Sequence, residues 1–321
     1  MRVPICLRLD DPAPVISVYH EHAKSPITKD GRPNIETFSN DFLFQFCDIA
    51  EKWGIKGKFS IVPMPGNKGD IVNGLEGVSK EALNEWIETV KERLIPAFSV
   101  TPEMLTHHKV PDLESGEIIH EKESVWSQTQ DRSRLVPYIS KALSLLKDAG
   151  FRTVGVTSPW NFGAENLEEY RHSVSKAIAN VCGSCNGWYF LGTGLERPYV
   201  ALEEEGRTLV ALPTSTRDNI WQTMDTTDMS EEYISSVADN YLTADGSEGE
   251  IISVLQKGGY PVILTHWQSL ISNGIGTGMK VLDEVCRRID EHLSDKVQWM
   301  SADEIAELVL KNKNEYPKPE L

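Results

Sequence analysis

The sequence predicts an α/β protein built on a (β/α) barrel of about seven parallel strands. Three observations predict it. Short apolar runs alternate with longer helical patterns over most of the chain, which points to a parallel sheet. Helices repeatedly stop at glycine and hand over to a strand, as in "KDAGF" (147–151) and "QKGGYP" (256–261). The count of such units, roughly seven or eight, suits a closed barrel better than an open sheet.

The elements follow in order. Strands are expected at 3–9, 56–63, 97–101, 152–158, 187–191, 208–214, 260–266 and 296–301. Helices are expected at 37–53, 79–93, 133–149, 164–181, 230–257, 276–294 and 302–311. The first helix enters through Thr37 or Ser39 as a cap and closes at the glycine of "KWGIKG". The longest stretches without regular pattern are 12–35, 63–77, 106–130 and 214–229. Most of them follow the C-terminal end of a strand, where a barrel of this type carries its active-site loops. The 321 residues show no clear linker, so a single domain over 1–321 is expected.

Composition narrows the function classes. The chain is 40% hydrophobic and 25% charged, enough for a sizeable core. Its net charge of −16 argues against a nucleic-acid footprint and against an anionic membrane surface. The opening "MRVPICLRLDD" lacks the apolar stretch of a signal peptide, and no apolar run approaches the ~20 residues of a membrane helix. Of five cysteines, Cys6, Cys47 and Cys286 read as buried thiols. Cys182 and Cys185 form a lone C-x-x-C that reads as a helix end. A reduced, cytoplasmic protein is expected, with homo-oligomerisation left open.

Chemistry collects at strand ends. The first strand delivers Asp10 and Asp11; "AFSVTPEML" is followed by His107 and His108; the fourth strand delivers Thr157, Ser158 and "PWNFG". A later strand leads to Thr214, Ser215, Thr216, Arg217 and Asp218, and "PVILT" ends in His266, Trp267 and Gln268. An aspartate with a neutral imidazole suits a divalent ion such as zinc. A second carboxylate beside it is placed to take a proton from water that the ion makes acidic, and a histidine opposite can protonate a leaving group. Trp160, Phe162, Trp221 and Trp267 offer flat faces for a sugar ring. His20 and His22 in "VYHEH" have metal-like spacing but read as residues of a loop that overhangs the site. The run Glu203, Glu204 and Glu205 reads as a hairpin or turn on the solvent side.

In this order the pieces resemble the polysaccharide deacetylase (carbohydrate esterase) superfamily. "LRLDDPAP" resembles its strand-one Asp-Asp motif, "EMLTHHKVPD" falls where it carries metal histidines, "VTSPWNFG" at its proline-containing loop and "VILTHW" at its late Leu-x-His motif. "GIKGKFSIVP" and "VQWMSADEIAELV" resemble its following helix-to-strand segment and its closing strand and helix. The resemblance implies a distorted (β/α) barrel, a divalent metal cofactor (zinc first, with nickel, cobalt or iron as alternatives) and a carbohydrate-like small molecule or oligosaccharide as partner. It implies Asp10 as general base, Asp11 as metal ligand and His266 as general acid. Substrate contacts are expected from Trp160, Asn161, Arg217 and Trp267.

Two departures stand out. The family pattern H-x-x-x-H is replaced by adjacent histidines, with Pro111 at the later position. His107 is expected to be the ligand, with Asp112 or a water completing the site and His108 as the alternative. The family's loop arginine is replaced by Thr157, leaving Arg8 or Arg217 to hold Asp10. The function expected is removal of an acyl group through a C–N or ester bond. The alternatives are a glycoside hydrolase pairing Asp10 or Asp11 with Asp218 or Asp225, and a non-catalytic carbohydrate-binding barrel.

Overall fold

The computed structural model describes residues 2–191 and 196–319. Nine strands organise the fold: β1 (Val3–Asp10), β2 (Gly57–Ile61), β3 (Phe98–Pro102), β4 (Gly155–Thr157), β5 (Asn186–Phe190), β6 (Tyr199–Glu204), β7 (Arg207–Ala211), β8 (Val262–His266) and β9 (Val297–Trp299). All but β6 fall on strand segments expected from sequence. β6 turns at Glu205 and Gly206 into β7 as an antiparallel hairpin, which is where the acidic run lies.

These nine strands form two sheets, and among the described residues two further two-stranded hairpins lie outside them. One runs β8-β1-β2-β3, with β9 also on β1, and every pairing is parallel. The other runs β6-β7-β5-β4, parallel except for the hairpin. Ladder bonds therefore do not continue as one ring. At one seam the link is a single parallel bridge between Glu103 and Thr157. At the other, the Ser215 and Thr216 hydroxyls accept from the backbone N–H of Val262 and Leu264 at 2.7 and 3.1 Å. Pro102 and Pro213 sit at these seams, and a proline removes the N–H that a ladder needs.

Helices Asp41–Trp53, Lys80–Thr89, Arg132–Asp148, Leu167–Cys182, Thr277–Leu293 and Ala302–Lys311 lie close to the expected ranges. The expected helix at 230–257 is instead two, Glu231–Ala238 and Glu250–Gln256; Gly246 and Gly249 between them adopt positive φ. Side chains alternate across each strand. On β1 to β3, Leu7, Leu9, Phe59, Ile61, Phe98 and Val100 join the largest apolar cluster. Arg8, Asp10, Lys58, Ser60, Ser99 and Thr101 occupy the other face and are buried all the same. The face of this sheet opposite the apolar cluster is thus both buried and polar, and it is the face that leads to the site.

Among the described residues no helix is long and apolar enough to cross a membrane. The five cysteines are free thiols.

Candidate active site

A cavity of about 1060 Å³ opens at the C-terminal ends of the strands, lined by Asp10, Asp11, Glu103, His107, Trp160, Asp218 and His266 among others. Strand alternation alone would turn Asp10 and Asp11 to opposite faces. Asp11 instead has φ +68°, a left-handed conformation that side chains disfavour, and this redirects the chain so that both line the cavity. Met104, His107 and Trp160 share the anomaly, with φ of +43°, +53° and +48°. Non-glycine residues in this region cost on the order of 1 kcal/mol each and gather where a site is being shaped.

Asp11, Glu103 and His107 form a buried set whose donor atoms lie within 4.8 Å of one another. His107 Nε2 stands 3.0 Å from Asp11 Oδ1, yet Asp11 Oδ1 and His107 Nδ1 both lack a hydrogen-bond partner. Glu103 Oε2 accepts from the Ser60 hydroxyl and, at 3.4 Å, from the Asp11 N–H. Burial and the adjacent Asp10 charge push the Glu103 carboxyl up to about 7. Burial would lower His107, but Asp11 overrides it and raises the imidazole to about 9.

Glu103 was not among the residues singled out from sequence. Counted back from His107, it stands at the earlier position of the H-x-x-x-H pattern, which here reads Glu-x-x-x-His. A second signal was the polar alternation in "GKFSIVP" and "AFSVTPE": Lys58, Ser60, Ser99, Thr101 and Glu103 follow every second position. Inside a strand that is covered on both sides, such residues face a polar interior.

Asp10 is clamped by two buried cations. Arg8 Nε reaches its oxygens at 3.0 and 2.9 Å, and a guanidinium NH2 reaches Oδ2 at 2.7 Å. The Lys58 ammonium contacts Oδ1. Burial would raise the Asp10 carboxyl, but Arg8 and Lys58 hold it well below the usual range. Of Arg8 and Arg217, it is Arg8 that pairs with Asp10, while Arg217 is exposed at the rim and pairs with Glu250 at 2.7 Å. Burial pulls the Lys58 ammonium below its ordinary value, against the charges of Asp10 and Glu103.

His266 ends β8 in register with Asp10. Its Nδ1 hydrogen-bonds Asp218 Oδ2 at 2.7 Å, and its backbone N–H donates to the same oxygen at 3.1 Å. Burial opposes protonation, but the Asp218 bond and the Asp11 charge raise His266 to about 9. The indole of Trp221 stands edge-on to the imidazole at 5.2 Å.

Several expected residues lie elsewhere. His108 is half-buried and does not line the cavity. Its backbone N–H donates to Thr106 Oγ1 at 3.0 Å. Asp112 caps the turn of the hairpin formed by Lys109–Pro111 and Ile118–Lys122, accepting from Glu114 and Ser115 N–H at 2.9 Å. Trp267 is fully buried among Phe38, Phe46 and Phe59, because it follows His266 by one residue and turns inward. Asn161 is exposed and does not line the cavity. Trp160 and Trp221 do line it.

The His107 loop is held by one buried carboxylate. Glu123 accepts from the His107 N–H at 2.7 Å, the Thr106 N–H at 3.2 Å and the Tyr138 hydroxyl at 2.7 Å. Glu123→Ala strands three buried donors and is expected to lower stability by about 3 kcal/mol, read as a shifted urea midpoint.

Parallel strands that deliver a polar cluster to one end place the chain among α/β folds, and its fold is similar to that of polysaccharide deacetylases. The solved structure of a protein assigned as a polysaccharide deacetylase from Mycobacterium smegmatis matches with a TM-score of 0.51 and 15% identity, over 87% of this chain and 82% of that one. Two looser matches follow. Peptidoglycan deacetylase PdaC from Bacillus subtilis has a TM-score of 0.44 and 10% identity over 98% and 95% of the chains. A 4-alpha-glucanotransferase from Thermococcus litoralis has 0.49 and 11%, over 96% of this chain and 40% of that one. No protein-family model matches the sequence, and no curated protein does.

Proposed function

We propose that the chain is a metal-dependent hydrolase that removes an acyl group, through a C–N or ester bond, from a carbohydrate-like substrate. The observation that carries this is the convergence, on one cavity, of a buried Asp11–Glu103–His107 set and an Asp218–His266 pair. The donor set fits a divalent cation: two carboxylates and an imidazole, buried together within 4.8 Å of one another. Bound there, the ion would act as a Lewis acid that polarises an acyl carbonyl and makes water acidic. Zinc, nickel, cobalt and iron all suit such donors.

In this reading Asp218 fixes the His266 tautomer, and His266 donates a proton to the leaving group. Asp10 is the proton acceptor by family analogy, with Arg8 and Lys58 keeping it ionised. To accept a proton it must loosen one of those contacts. That clamp is also what favours a second reading, a non-catalytic carbohydrate-binding protein. Pairing with Asp218 or Asp225 in a glycosidase has less support, since these two engage His266 and Lys29. A reduced, cytoplasmic setting belongs to the same proposal.

The test is metal binding and turnover on one preparation. Calorimetry with zinc or cobalt should show one site, abolished in Asp11→Asn and His107→Ala. Affinity should rise with pH from about 6 to 9, because Glu103 near 7 and His107 near 9 must each lose a proton to bind. A panel of acetylated sugars then separates the readings: release of acetate supports the hydrolase, and tight binding without release supports the second. A protein that takes up no divalent ion sinks the metal reading.

A further inference from the structure

We infer that His22, from the loop over the mouth, is a fourth donor to the cation site formed by Asp11, Glu103 and His107. The inference rests on the metal reading of that site and adds a ligand from a different element of the fold.

Two buried imidazole nitrogens at this cavity have no hydrogen-bond partner, His107 Nδ1 and His22 Nε2, and Asp11 Oδ1 has only the ill-aligned His107 Nε2 at 3.0 Å. A buried polar atom that nothing satisfies is destabilising. His22 closes the short helix Val18–His22, whose Ser17 cap accepts from the His20 N–H at 3.3 Å. Its loop is tied down farther along the chain. Arg32 donates to the carbonyls of Met224 and Thr226 at 2.9 and 3.1 Å, and the Asn273 amide donates to the Pro33 carbonyl at 3.0 Å. The imidazole is therefore delivered to the cavity rather than left in solvent.

Ring geometry points the same way. The His22 and His107 rings have centroids 4.8 Å apart at 31°. Two imidazoles that share one ion at ordinary metal–nitrogen lengths have ring centres roughly 4.5–5.3 Å apart. Trp160 borders both rings, at 4.9 Å from His22 and 4.3 Å from His107, and limits where they can turn. As placed, His22 does not belong to the set of donors within 4.8 Å of one another. Rotation of its side chain or a small shift of the helix is what brings a nitrogen in. His20, two residues earlier, faces Glu21 and Glu36 at 3.4 and 3.7 Å and is the natural control.

The experiment titrates the full chain with cobalt(II), reading both heat and the visible absorption of the bound ion. Wild type, His22→Gln, His20→Gln and Asp11→Asn are compared, each checked for folding by circular dichroism. His22→Gln is expected to weaken cobalt binding ten- to a hundredfold and to alter the absorption bands, while His20→Gln changes neither. If His22→Gln binds with wild-type affinity and an unchanged spectrum while Asp11→Asn abolishes binding, His22 is not a ligand and the three-residue site stands. If wild type binds neither cobalt, zinc nor nickel, the metal reading falls and this inference with it.

Discussion

Lys58→Met is expected to destabilise the protein by about 3–5 kcal/mol, the range for removing one partner from a buried ion cluster. Lys58 is wholly inaccessible to solvent, and nothing but side chains compensates its charge. Its ammonium touches Asp10, donates to Ser60 Oγ at 2.7 Å and Thr157 Oγ1 at 3.0 Å, and lies 3.8 Å from Glu103 Oε2. Methionine fills a similar volume, so the loss reports charge rather than a cavity. Asp10 would then keep Arg8, while Glu103 would lose its Lys58 charge and be left with His107 as the cation acting on it. The measurement is the urea midpoint at constant slope. Adding Glu103→Gln to Lys58→Met should restore part of the loss, because it removes the carboxylate that lost its Lys58 charge. The pH dependence has a definite sign. Asp10 is held below its ordinary value, so its contribution is present above about pH 4 and is lost as pH falls further. An unchanged midpoint in Lys58→Met would mean that the cluster is not coupled as its distances imply.

In a turnover assay His266→Ala should cost about 10²–10⁴ in rate, the usual worth of a positioned acid. A general acid must be protonated, and His266 is held at about 9. Activity should therefore persist through neutral pH and decline as pH rises through about 9. Asp218→Asn removes the carboxylate that sustains the imidazolium, so the alkaline limb should move to lower pH while the fold persists. A limb that stays put in Asp218→Asn would assign it to another group. Substrate affinity should change less than rate in both variants, since neither removes Trp160 or Trp221 from the cavity wall.

Much of this was legible along the chain. Eight strand segments, the glycine stops and the Asp-Asp tip of β1 follow from local patterns, because propensity and periodicity act over a few residues. The resemblance through "LRLDDPAP" and "VILTHW" pointed to Asp10, Asp11 and His266, which line one cavity. The histidine stretch was harder to read. The adjacent pair His107 and His108 masks the Glu-x-x-x-His spacing that Glu103 makes with His107. Trp267 looked like a sugar platform because it neighbours His266, and that same adjacency sends it into the core.

The sequence by itself determined the parallel α/β class and the acids and histidine at the strand ends. Tertiary structure alone decided that Arg8 and Lys58 clamp Asp10, that Glu103 joins Asp11 and His107, and that His22 stands over them. The reason is physical. A strand's alternation says which residues share a face, but it does not say what that face meets. That is settled where separate strands converge, and where a left-handed residue, Asp11 just past its strand or His107 in its loop, turns the chain so that a side chain enters the cavity.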